Sequence, residues 1–150
     1  HIAKDGTVHI ADGTYDLGGK AYNVNFFIDN SKNVIFTNGG LLTLKNGYSL
    51  KDLTFTKFTN NIYLGFDSSI TNCVIKDSDY GALMPLYLSY TSSVYNCTIS
   101  NVATTTGIID HNGHGINSLT VDGLDITNSK FDYFVLLWYN NFRKVVIVWE

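Results

Sequence analysis

Apolar residues recur along this chain in one short figure: an apolar position, two others, a second apolar position, one other, and a third. It reads Leu50, Leu53, Phe55 in SLKDLTFT, Ile70, Cys73, Ile75 in SITNCVIK, Val94, Cys97, Ile99 in SVYNCTIS and Val121, Leu124, Ile126 in TVDGLDIT, with a shorter copy, Val34 and Phe36, in NVIFT. The steps from Val34 to Leu53, Cys73, Cys97 and Leu124 are 19, 20, 24 and 27 residues. Each copy ends in a two-residue alternation and mixes Thr, Val, Ile and Phe with Asn, Asp and Gly, which predicts strands and turns, not helix. A second short apolar segment precedes three copies, with Leu44, Leu64 and Leu88 each nine residues ahead of Leu53, Cys73 and Cys97. Units this short cannot close a core alone and must stack. The predicted fold is all-β, a parallel β-helix or solenoid of about five to six coils.

Parallel stacking at about 4.8 Å per coil sets equivalent residues above one another. Val34, Leu53, Cys73, Cys97 and Leu124 then form one inward column, and Phe36, Phe55, Ile75, Ile99 and Ile126 the next. Just before the first column stand Asn33, Asp52, Asn72, Asn96 and Gly123, which predicts an amide ladder at a bend, because Asn and Asp bond nearby backbone and tolerate left-handed conformations. The chain reads as one domain over residues 1–150: an opening or capping coil over 1–30, repeat coils over 31–133 and an atypical end over 134–150. Asp5-Gly6 and Asp12-Gly13 bracket a short strand from Thr7 to Ile10, and the run FVLLWYNNFRKVVIVWE abandons the repeat. A solenoid ending there would expose a pairing edge, so the chain is expected to be a piece of a longer one.

Composition narrows the partners. Net charge is −3 with only 15 % charged residues, so there is no basic field for a phosphate backbone and nucleic acid is not expected. The longest apolar stretch, Phe134 to Tyr139, is far short of the ~18 residues of a membrane helix. In place of charge stand 16 Asn, 15 Thr and 11 Ser beside a single Pro, the balance of a turn-dense β protein.

At these residues the chain resembles the right-handed parallel β-helix proteins of the pectin-lyase-like class, in particular Asn/Thr-rich adhesin-like surface proteins of methanogenic archaea and some bacteria. The opening VHIADGTY is similar to the first strand of that group. Gly39-Gly40-Leu41-Leu42, Gly81-Ala82-Leu83 and Gly107-Ile108-Ile109 resemble the GGAI motif of polymorphic outer-membrane repeats, and Phe58-Thr59-Asn60-Asn61 the companion FxxN. The resemblance covers about residues 5–133. It implies a secreted, surface-anchored stalk or adhesin, at the cell surface or outside it, flanked by further repeats of a parent chain. It departs from the polysaccharide-lyase branch, whose members carry calcium-binding acidic clusters and a basic proton abstractor, because the sole Arg here, Arg143, lies outside the repeats.

Four groups of residues are candidates for chemistry. Asp110, His111 and His114, in DHNGHG, offer a metal site or general acid–base work on a sugar, since His titrates near neutrality; the alternative is an Asn-Gly corner in an enlarged loop. Asp77 and Asp79, with Asp52 or Asp67, offer carboxylates to calcium, although Lys76 beside them favours a solvated turn; no resident metal or cofactor is assigned. Cys73 and Cys97 share a repeat position, where buried thiols are the expectation and a disulfide the alternative, parallel neighbours rarely offering its torsion. Tyr63 and Tyr87 each precede a repeat-aligned Leu and so face outward, where rings can bind the apolar faces of sugars or simply fill a corner. The expectation is a non-catalytic surface module contacting glycans or a partner surface through Tyr63, Tyr87, His111 and His114. The alternative is a lyase or glycoside hydrolase on the same scaffold.

Overall fold

Among the described residues every pairing between strands is parallel, and every strand pairs with the one a coil earlier or later. The computed structural model describes residues 6–89, 91–105, 109–111, 120–122, 125–127 and 129, and among these it is a parallel β-solenoid of about five turns with no helix. The strands are β1 Thr7–Val8, β2 Gly13–Asp16, β3 Tyr22–Val24, β4 Phe27–Thr37, β5 Leu42–Leu44, β6 Ser49–Thr56, β7 Ile62–Leu64 and β8 Ser69–Thr71. They continue as β9 Val74–Asp79, β10 Leu86–Leu88, β11 Ser93–Tyr95, β12 Thr98–Ala103, β13 Ile109–His111, β14 Thr120–Asp122 and β15 Asp125–Thr127.

The coils stack through three runs of strands. β6 pairs through its first half with β8 and through its second half with β9, so one sheet turns a corner at Asp52. Its first arm aligns Val8, Ile28, Leu50, Ile70, Val94 and Val121. Its second arm aligns Tyr15, Phe36, Phe55, Ile75, Ile99 and Ile126, the second predicted column in its predicted register. A separate sheet, in the order β13-β10-β7-β5-β3, closes the coil.

Inside, Leu50, Ile70 and Val94 meet Val34, Leu53, Cys73 and Cys97, all buried, and the closing sheet adds Leu44, Ile62, Leu64, Leu86 and Leu88. An aromatic series leads into the core from exposed Tyr15 to half-buried Phe36 at 6.1 Å, from Phe36 to buried Phe55 at 6.0 Å, and edge-on from Phe55 to buried Phe58 at 5.6 Å. Phe58 enters because position 39 is Gly: a Cβ there would overlap its ring.

The predicted amide ladder is present over Asp52, Asn72 and Asn96, while Gly123 and the column residue Leu124 lie outside the described residues. Asn72 donates its amide to Asp52 at 3.1 Å, Asn96 donates to Asn72 at 2.8 Å, and Asn33 donates to Asp12 at 3.0 Å, which extends the ladder one coil earlier than expected. Asp52, Asn72 and Asn96 have φ of 58°, 53° and 47°, the left-handed region these side chains tolerate. A second ladder, not foreseen, follows the second arm: Asn38 donates to Asp16 at 2.9 Å and Asn101 to Asp77 at 2.7 Å, with Lys57 at the intervening bend. The Gly18 N–H, then the Asn38 amide, hold the Asp16 carboxyl below its ordinary range. At the corner after the closing sheet the buried hydroxyls of Ser68 and Ser92 each donate to a carbonyl three residues back, Gly65 and Ser89, at 2.6 Å. Among the described residues no helix is long and apolar enough to cross a membrane.

Candidate functional site

The strands of the closing sheet are three residues long, which leaves room for a single outward position between two inward ones, whereas β3 buries only Val24. In β5, β7 and β10 the outer residues of each triplet are buried and the middle one is half-buried. Register places the middle residues in one column: Asn23, Thr43, Tyr63, Tyr87 and Asp110. In-register neighbours lie about one strand spacing apart, which suits ring stacking. The Tyr63 and Tyr87 rings are stacked accordingly, with centroids 5.1 Å apart and planes 19° from parallel. The Tyr63 hydroxyl shares a 2.7 Å hydrogen bond with the Ser89 hydroxyl, which ties the tip of the ring to the coil beyond. The pair is therefore a fixed aromatic surface with a polar rim, suited to C–H faces bordered by hydroxyl groups.

The histidine motif divides. Ile109–His111 forms β13, so Asp110 and His111 lie on a strand and not at a loop corner; Asp110 takes the register position of Tyr87, and His111 that of the inward Leu88. The motif looked like a corner because Asn112-Gly113 follows directly. Residues 112–115, and with them His114, lie outside the described residues. The candidate calcium carboxylates are distributed over separate bends. Asp52 sits within β6, Asp67 between β7 and β8, and Asp77 within β9, each with left-handed φ. Asp77 accepts from Asn101 and Asp79 from the Gly81 N–H at 3.0 Å, so hydrogen bonds within the fold already engage both. Among the described residues no group of three or more His, Cys, Asp or Glu is arranged to hold a metal ion.

Cys73 and Cys97 are buried free thiols. Their S–H groups point to backbone carbonyls, Thr71 at 3.4 Å and Tyr95 at 3.3 Å. Contact with the Cys97 sulfur, and then burial, push the Cys73 thiol well above the usual cysteine range, which keeps it protonated and unreactive at neutral pH.

No protein-family model, no curated protein and no solved structure matches this chain. The outward placement of Tyr63 and Tyr87 was legible in the sequence, whereas Ser89 and the small polar side of the column were not. The signal available for Ser89 was its place 24 residues after Gly65, the spacing that also separates Leu64 from Leu88.

Proposed function

We propose that this solenoid is a non-catalytic, adhesin-like binding module displayed at the cell surface or outside the cell, and that it contacts glycans on a partner surface. The observation that carries the reading is the Tyr63–Tyr87 stack on the outward column of the closing sheet. The composition supports it: a coil surface rich in Asn, Thr and Ser and poor in charge suits hydrogen bonding to hydroxyl-rich ligands. The resemblance to right-handed, pectin-lyase-like surface repeats points the same way. A glycan array combined with a turnover screen on acidic polysaccharides, with and without calcium, tests it. The expected result is weak, salt-insensitive binding that Tyr63→Ala abolishes, with no cleavage. Turnover that His111→Ala or His114→Ala removes would overturn it in favour of an enzyme on the same scaffold.

A further inference from the structure

The outward column is asymmetric about its tyrosine stack. One face of Tyr63 lies against Tyr87, at a centroid distance of 5.1 Å, so its opposite face turns toward the coil that carries Thr43. Column positions are about 4.8 Å apart, and Tyr87 already fills one of them with a six-membered ring. The corresponding position on the other side holds half-buried Thr43, and the next holds exposed Asn23. Both side chains are too small to fill the height of a ring. A slot one coil high results, with the Tyr63 ring as its wall and a hydroxyl and a carboxamide as its floor. The Ser89 hydroxyl holds the tip of that wall at 2.7 Å, so little side-chain freedom is lost when a ligand arrives.

We infer that this slot takes a single pyranose of a neutral glycan. The C–H face of the sugar lies against Tyr63 in the way Tyr87 does on the other side, and its hydroxyls bond Thr43 and Asn23. A saturated six-atom ring has the footprint of the phenol already accommodated. The floor supplies donors and acceptors without charge, which matches hydroxyls and gives no counter-charge to a uronate or a phosphate. A flat aromatic ligand would match the wall but leave the floor's polar groups unpaired. The inference rests on the glycan reading above and narrows it to one side of the stack.

The test uses the intact chain, with methyl glycosides of glucose, galactose and mannose as probes, read by saturation-transfer NMR and by titration of the tyrosine ring resonances. Tyr63 signals should shift more than those of Tyr87. Tyr63→Ala, and Thr43→Tyr, which fills the slot with a third ring, should each weaken binding by about tenfold or more. Circular dichroism identifies any variant that fails to fold, and the ring shifts of the unaltered protein then decide. Shifts confined to Tyr87, or binding kept by Thr43→Tyr, overturn the slot while leaving the glycan reading in place. Glycans bound on an array but none of the three probes bound in solution overturn the pyranose assignment alone. No binding in either format overturns both.

Discussion

The Asp52 carboxylate accepts the Asn72 amide of the next coil at 3.1 Å but has no N–H to donate to Asn33 of the coil before. At the other steps described, Asn33 to Asp12 and Asn96 to Asn72, an amide donates toward the earlier coil. The step between Asn33 and Asp52 therefore has no side-chain amide donor on the Asp52 side, and it coincides with the register shift of β4 between Asp29 and Val34.

Asp52→Asn should restore that step. Asn also adopts the left-handed conformation held here, φ 58°, so the variant should be more stable by about 0.5–1.5 kcal/mol, the net value of one hydrogen bond. Urea unfolding measures it, and a loss of stability would show that the ladder is not continuous at Asn33.

Core register predicts a contrast between neighbours. Ile75 and Ile99 are fully buried, while Val74 and Thr98 beside them are half-buried and face outward. Replacing either Ile by Ala should cost ~2–5 kcal/mol, and replacing Val74 or Thr98 by Ala should cost well under half of that. Equal losses in denaturant midpoints would refute the register.

Gly39 and Phe58 should be energetically coupled. A methyl at position 39 overlaps the buried Phe58 ring, so Gly39→Ala should destabilise by ~1–3 kcal/mol through overpacking. In a Phe58→Leu background the same change should cost less, by a coupling of at least ~0.5 kcal/mol in a double-mutant cycle. Additive losses would mean that the glycine serves some purpose other than admitting the ring.

Tyr80 is buried and its hydroxyl has no hydrogen-bond partner among the described residues. Its neighbour Ser78 is already committed, donating to the Lys76 carbonyl at 2.8 Å and accepting from the Phe58 N–H at 3.1 Å. Tyr80→Phe should therefore be neutral or stabilising by up to about 1 kcal/mol near neutral pH. Burial raises the phenol above its ordinary value of 10.0. The unfolded chain then loses this proton first, so the stability that Tyr80 contributes is present below pH 10.0 and declines as pH rises beyond it. Comparing urea midpoints of the two proteins from pH 8 to 11 checks this: the parent should lose more stability than the Phe variant above pH 10.0.

The sequence by itself determined the repeat, the inward columns and the first ladder. A coil that stacks on a near copy of itself must place apolar residues and bend formers at the same local offset in every unit, as Leu53, Cys73 and Cys97 do behind Asp52, Asn72 and Asn96. The second ladder stands at a constant offset too, two residues after Phe36, Phe55, Ile75 and Ile99, but Lys57 interrupts the series of Asn38, Asp77 and Asn101 and masks it as a row of bend formers. The tertiary structure alone decided which positions of different coils meet. Leu44 to Leu64 is 20 residues and Leu64 to Leu88 is 24, yet both pairs are in register, because the longer unit turns its corner through Tyr80–Pro85 before β10 begins. The ring stack of Tyr63 on Tyr87, the small floor beside it and the fit of Phe58 at Gly39 all depend on that alignment between coils. Backbone hydrogen bonding enforces it across the coils, and it leaves no trace in the spacing within any one of them.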